Sequence, residues 1–217
     1  MTSHSYISFT IHRSFYRLSD VMKKKYKKAF VQELKKKSNV ITYTYATLGL
    51  KADTNILFWF QAETIEAIQS FLNLLMHTKL GEYLKITYTF SGMTRPTQYS
   101  DKSSKHSDTG RKGGRYLIIY PFSKTKEWYM LDFDMRKKLM GGHVMIGKKY
   151  PKIEQVLLYS YGIDDSEFIV SYEMDDLSSF QSLVMELRSD KVRTYTLKDN
   201  PIFTCIYKTA EEVINFL

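Results

Sequence analysis

Few residues of this chain combine a reactive side chain with a patterned setting, and one histidine stands out. Of the five histidines, His4, His12, His77, His106 and His143, only His143 falls within an apolar stripe, made by Met135, Leu139, Met140, Ile146 and Tyr150 at helical spacing. The spacing predicts a helix over 135–149 with this imidazole turned inward. Such a ring is either a hydrogen-bonded core residue or a ligand. Zinc fits poorly, because it takes several protein ligands and the chain has a single cysteine, Cys205, and no His/Cys cluster. A porphyrin iron differs: the macrocycle supplies four nitrogens, so one imidazole suffices if an acceptor holds its other nitrogen. Gly141 and Gly142, just before the histidine, offer a place where a bulky ring can approach the backbone. No Ser-His-Asp order, phosphate-cradling glycine loop or dinucleotide fingerprint is present, which removes several common enzyme classes.

The elements that position this histidine follow from hydrophobic period. Strands are predicted at Tyr6–Ile11, Val40–Tyr45, Ile56–Phe60 and Lys85–Phe90, with helices over the lysine-rich stretch 23–37 and over Glu63–Leu75. The second half repeats the order, with strands at Tyr116–Tyr120, Ile153–Tyr159, Phe168–Tyr172 and Ile202–Tyr207 and helices at 135–149 and Leu177–Leu187. A shift of 112 residues lays Ile68-Gln69-Ser70-Phe71 on Phe180-Gln181-Ser182-Leu183, so the chain reads as an internal duplication. Each copy is a split βαβ, ferredoxin-like module, residues 1–105 and 106–217, in the α+β class. Each sheet has one helix-covered face and one open face, and two such faces bury each other, leaving an aromatic-lined space suited to a flat apolar ligand. The stretch Thr97–Gly114 is non-periodic, rich in Ser, Gly, Lys and Arg, and reads as a linker or as a basic lid.

Composition bounds the partners. The 217 residues suffice to bury roughly 70% of the unfolded surface. There are 32 Lys plus Arg against 23 Asp plus Glu, a net +9 that favours anionic ligands. Eight of the lysines lie between Lys23 and Lys37 around Met22, Tyr26, Phe30 and Leu34, the pattern of an amphipathic helix with a solvated basic side. No aromatic platform accompanies them, so nucleic-acid binding is a minor alternative. No apolar run approaches the ~20 residues of a membrane span, and the start lacks a secretory pattern, so the expected compartment is the cytoplasm.

Five segments carry a family resemblance by their order and spacing: Tyr120-Pro121-Phe122-Ser123-Lys124, Glu127-Trp128-Tyr129-Met130-Leu131, His143 with Ile146-Gly147-Lys148-Lys149-Tyr150, Gly162-Ile163-Asp164-Asp165, and Leu183-Val184-Met185-Glu186-Leu187-Arg188. Over 116–195 the chain resembles the chlorite dismutase superfamily, and within it the coproheme decarboxylase branch. The resemblance implies paired ferredoxin-like halves forming a dimeric α+β barrel, a homopentamer, and haem in the C-terminal half with His143 on the iron. Gln155 stands where this branch carries its distal glutamine and where true chlorite dismutases carry arginine. A neutral amide cannot hold an anionic oxychlorine fragment as a permanent cation can, so efficient chlorite dismutation is not expected.

The implied activity is the peroxide-dependent conversion of two propionates of iron coproporphyrin III to vinyls, yielding haem b, so that the substrate is also the cofactor. Tyr120 would be the radical-forming tyrosine, which takes hydrogen from a propionate β carbon, and Lys124 the neighbouring cation. On residue type alone these two read as core and surface. The chain departs from the family at Val144, at Lys148-Lys149 and at Ser166, and the usual propionate-binding arginine before Tyr120 has no counterpart. Arg111, Arg115 and Arg193 are the candidates to replace it. A non-decarboxylating haem carrier or weak haem peroxidase, and an iron-free interaction or nucleic-acid-binding protein, are the alternatives.

Overall fold

The computed structural model describes residues 1–99 and 110–217. Most of the stretch expected to be a linker or lid, His106, and the expected boundary between the halves at 105 and 106 lie outside the described residues. The chain divides into two compact units, Met1–Met93 with Phe203–Leu217, and Thr94–Ile202.

In the first unit, β1 (Ser3–Ile11) lies between β3 (Ile56–Ala62) and β4 (Leu84–Met93), and β2 (Ile41–Ala46) joins β3 to β9 (Phe203–Tyr207), with every pairing antiparallel. Strand residues alternate faces, so Ile7, Phe9 and Ile11 share a face with Phe58 and Phe60. Helices α1 (Asp20–Leu34) and α2 (Ile65–Met76) cover it with Phe30, Leu34, Ile68, Phe71 and Leu75, and α6 (Ala210–Asn215) adds Val213 and Ile214. Each such side chain, fully buried, contributes about 1.5–3 kcal/mol. On the opposite face His4 accepts a hydrogen bond from the Trp59 indole at 3.0 Å, and burial pushes its pKa down to about 4. His4 is a core residue held neutral.

The second unit repeats the order of strands and helices except for its last strand: the strand expected at Ile202–Tyr207 is β9, which falls in the first unit. Antiparallel β5 (Tyr116–Lys124), β7 (Phe168–Met174) and β6 (Glu154–Tyr159) pair in the order β5-β7-β6, and the short β8 (Thr196–Lys198) joins the end of β5. One sheet face carries Ile118, Val170, Tyr172 and Met174, packed with Tyr120, Leu157 and Phe180. Helix α4 (Phe133–Lys148) and helix α5 (Leu177–Arg188) follow β5 and β7 as α1 and α2 follow β1 and β3. The duplication extends to the element starts: β3 and β7 begin 112 residues apart, and so do α2 and α5, each of twelve residues.

Two expectations change. The lysine-rich helix ends at Leu34, because Lys35 is its C-cap, so Lys35, Lys36 and Lys37 lie beyond it. A five-residue helix, α3 (Lys126–Met130), follows β5 and is too short to leave a periodic signal.

Candidate functional site

Asp132 caps α4 by accepting from the Met135 amide at 2.7 Å, which sets the rotation of the helix. Arg136, Leu139, Met140, His143 and Ile146 are its half-buried residues, with Tyr150 two residues beyond its end; Met135, expected in the stripe, is exposed, and Arg136 is half-buried in its place. The helix nevertheless buries none of its sixteen residues completely. A Cβ added at Gly141, Gly142 or Gly147 would meet nothing within 4 Å. The apolar stripe of α4 is thus only partly covered by protein, whereas α1 buries Phe30 and Leu34.

Nδ1 of His143 faces Oδ2 of Asp190 at 3.5 Å, and both atoms are sealed from solvent with no other hydrogen-bond partner. A third of the imidazole side chain is exposed, and that exposure belongs to its other atoms. Burial lowers the His143 pKa, the Asp190 carboxylate opposes the shift, and the charge of Lys124 adds to it. A neutral ring with Nδ1 toward a carboxylate carries Nε2 free on the opposite edge, the arrangement of a histidine ready to ligate a metal. Asp190 is itself held at the N-cap of the turn Lys191–Tyr195.

Tyr120 and Gln155 share the face of the sheet that carries Tyr172. In the register Gln155 is opposite Tyr172 and Tyr120 is opposite Val170, so Tyr120 is a diagonal neighbour of Tyr172. The two tyrosine rings stack with centroids 6.1 Å apart. Burial raises the Tyr120 pKa; a hydrogen bond from Tyr172 offsets part of this, and Asp199, Arg188 and Arg193 act on the same phenol. Gln155 is solvent-exposed.

Lys124, at the end of β5, is not the surface lysine that its type suggests. Its ammonium lies 4.8 Å from the centroid of the buried Trp128 ring. Burial first, and Arg193 second, push its pKa down to about 8, against the pull of Asp190 and Glu167. Its backbone N–H donates to Glu167 at 2.7 Å, and Tyr129 donates to the same carboxylate oxygen at 2.5 Å. Segments that resemble family motifs are therefore tied together through Glu167. Of the three candidate arginines, Arg111 pairs with Glu173 and Arg115 lies over Tyr116, whereas Arg193 pairs with Asp199 and acts on both Lys124 and Tyr120.

One unit thus combines His143–Asp190, a tyrosine pair and a cation group. Asp190, Tyr172, Arg188 and Asp199 were not singled out from sequence. Among the described residues no group of three or more His, Cys, Asp and Glu could hold a metal ion, so a metal at His143 would need its other ligands from a cofactor. The residues present fit a porphyrin iron, on the evidence of the sealed Nδ1, its carboxylate and the uncovered helix face.

The comparisons give the family and the fold. Residues 20–208 match the chlorite dismutase family model, and the chain belongs to that haem-associated family. A coproheme decarboxylase of Mycolicibacterium smegmatis is 26% identical over 186 residues, covering 85% of this chain and 80% of the relative. A doubly substituted chlorite dismutase from Candidatus Nitrospira defluvii superposes with a TM-score of 0.87 at 24% identity, covering 99% of this chain and 94% of that one. The imidazole complex of the enzyme from the same organism gives 0.85 at 25% identity with the same coverage. No helix among the described residues is long and apolar enough to cross a membrane.

Proposed function

We propose that this protein is a peroxide-dependent decarboxylase of iron coproporphyrin III, converting two propionates to vinyls to yield haem b. The observation that carries the reading is the His143–Asp190 contact at 3.5 Å on a helix that buries no residue completely. His143 would hold the iron through Nε2 while Asp190 fixes the ring from Nδ1. The bound iron porphyrin supplies one-electron oxidation driven by hydrogen peroxide.

Tyr120 is the hydrogen-abstracting residue in this reading. Burial keeps its phenol protonated at neutral pH, and the hydrogen bond that it accepts from Tyr172 leaves its own O–H free to be given up. Once oxidised and deprotonated, the phenoxyl oxygen takes a hydrogen atom from a propionate β carbon, and loss of carbon dioxide with one further electron leaves the vinyl. Lys124 pairs with a propionate carboxylate and, with a pKa of about 8, can give or take a proton near neutral pH. Gln155, a neutral amide on the face that carries Tyr120, offers hydrogen bonds but no permanent charge, which disfavours efficient chlorite dismutation.

The halves 1–105 and 106–217 are proposed as the duplicated units, ferredoxin-like and closed as a dimeric α+β barrel, and the assembly as a cytoplasmic homopentamer, in keeping with the family. Incubation of the protein with iron coproporphyrin III and hydrogen peroxide, followed by mass analysis, tests the activity. A three-propionate intermediate and then haem b are expected. A ligand held or bleached without loss of carbon dioxide would identify a carrier or a weak peroxidase instead.

A further inference from the structure

We propose that the first unit carries a binding site for a phosphate monoester, at the open edge of β2 beside the end of α1. Along β2, β9 pairs only with Tyr45 and Ala46, and the Lys208 N–H still reaches the Thr44 carbonyl at 3.1 Å. At Thr209 the chain then turns into α6, so β9 does not continue opposite Thr42. Backbone groups alternate along a strand, so the Thr42 amide and carbonyl point to the same edge as those of Thr44, into the gap that this turn leaves. The gap is a cavity of about 520 Å³, bounded by the end of α1 and the start of α6, with Thr42 and Thr44 between them. The Thr44 hydroxyl is spent on the Lys208 carbonyl at 2.6 Å, whereas the Thr42 hydroxyl is sealed from bulk solvent and has no hydrogen-bond partner. A buried hydroxyl without a partner is costly, and this one belongs to a residue that lines a cavity.

The charge at this cavity selects the ligand. Lys35, Lys36 and Lys37, the residues from the C-cap of α1 onward, all line it. Lys35 pairs with Glu211 of α6, and Lys36 with Glu33 of α1 at 2.5 Å. Lys37 pairs with no acidic side chain among the described residues. Both paired lysines are more than half exposed, where ion pairs contribute little, so an incoming anion can recruit their ammonium groups along with that of Lys37. Ammonium groups are point charges without the planar fork that reads a carboxylate. They suit the tetrahedral oxygens of a phosphate, which can also accept from the Thr42 hydroxyl and amide. The cavity lies in the size range of small-molecule sites and has room beyond a phosphate group, with Leu34 and Val40 as its apolar wall. The phosphate is therefore carried on an organic body. Every lining residue belongs to the first unit, so this site shares no residue with the one around His143.

Titration calorimetry of the intact chain tests the site with two monoesters, ribose 5-phosphate and vesicles of phosphatidylcholine containing phosphatidic acid. Ribose and pure phosphatidylcholine vesicles are the controls, and neither is expected to bind. The monoester whose binding depends on Lys37 tells whether the phosphate comes on a soluble metabolite or on a lipid. Lys37→Gln should weaken that ligand about 10-fold, the scale of a charge-assisted hydrogen bond. Thr42→Val keeps the branched shape and removes the hydroxyl. It should weaken the ligand about 5-fold and leave the melting temperature of the ligand-free protein unchanged or higher, because a buried hydroxyl without a partner is lost. Glu211→Gln, which releases Lys35, should tighten binding. Lys24→Gln removes an equal charge from the exposed side of α1 and should change nothing. A loss in Lys24→Gln as large as that in Lys37→Gln, or wild-type affinity in Thr42→Val, would reduce the binding to diffuse attraction and overturn the inference. Failure of both monoesters to bind the wild-type chain overturns it as well.

Discussion

Phe30 and His143 stand at the same distance from the caps of two helices, one in each unit. Each is the eleventh residue after the N-cap of its helix, Ser19 for α1 and Asp132 for α4, and each helix follows the first strand of its unit. Phe30 is 1% exposed and packs against Phe58 at 6.3 Å. The second unit has there an imidazole whose one nitrogen faces a carboxylate, on a helix that buries no residue completely. The phenyl is packed whereas the imidazole keeps an exposed edge, and that exchange separates the two positions.

The exchange predicts opposite costs for the same truncation. Phe30→Ala should destabilise the ligand-free protein by about 3–5 kcal/mol, the usual cost of removing a buried aromatic. His143→Ala should change stability by no more than about 1 kcal/mol, because the ring is partly exposed and makes no tight hydrogen bond. Denaturant melts of both variants check this, and equal losses would show that His143 is a packing residue.

Asp190→Asn should lower the His143 pKa further. Burial already lowers it, and the carboxylate is the group that raises it, so its removal leaves burial unopposed. An NMR titration of the ligand-free protein reads the shift. A histidine whose folded pKa lies below its unfolded value binds more protons when unfolded, so stability falls as pH drops from about 6.5 through the folded value. The variant should lose stability over a wider acid range than the wild type. Identical titrations would remove Asp190 from the pair.

Lys124 should titrate near pH 8, far below its usual 10.5, because burial disfavours its charge and Arg193 adds to the penalty. In this case too the unfolded chain binds the extra proton, so between about pH 8 and 10.5 stability rises with pH. Lys124→Met should therefore stabilise the ligand-free protein at pH 7, and the gain should shrink as pH rises through that window. Isotope-edited NMR of methylated lysines gives the pKa directly. A resonance titrating with the surface lysines would mean that the ammonium is hydrated.

Tyr120→Phe should keep porphyrin binding and lose vinyl formation, since it removes one oxygen and leaves the stack on Tyr172 in place. Mass analysis of the products and the absorption spectrum of the bound porphyrin separate the two effects. Unchanged turnover would take Tyr120 out of the mechanism.

His143 was legible because helical period and residue type agree at one position. Tyr120 was legible as a strand residue, and its role came only with the family resemblance. Asp190 was not legible: it lies 47 residues beyond the histidine and meets it only through the packing of α4 on the turn Lys191–Tyr195. Arg188 lay at the end of a recognised segment, but its shared use of Asp199 with Arg193 is a tertiary contact without sequence period. Lys124 illustrates the limit of residue type, because Trp128 on a five-residue helix buries an ammonium that composition assigns to the surface. The repeated element order was visible because helix and strand periods recur at a nearly constant shift, whereas the correspondence of Phe30 with His143 appears only once the caps are aligned.

The most direct measurement is the resonance Raman spectrum of the reduced protein loaded with iron coproporphyrin, in which an iron–histidine stretch reports the axial ligand. The band should be present in the wild type and absent from His143→Ala. Its survival in the variant, or its absence from the wild type, would contradict the assignment of His143 to the iron.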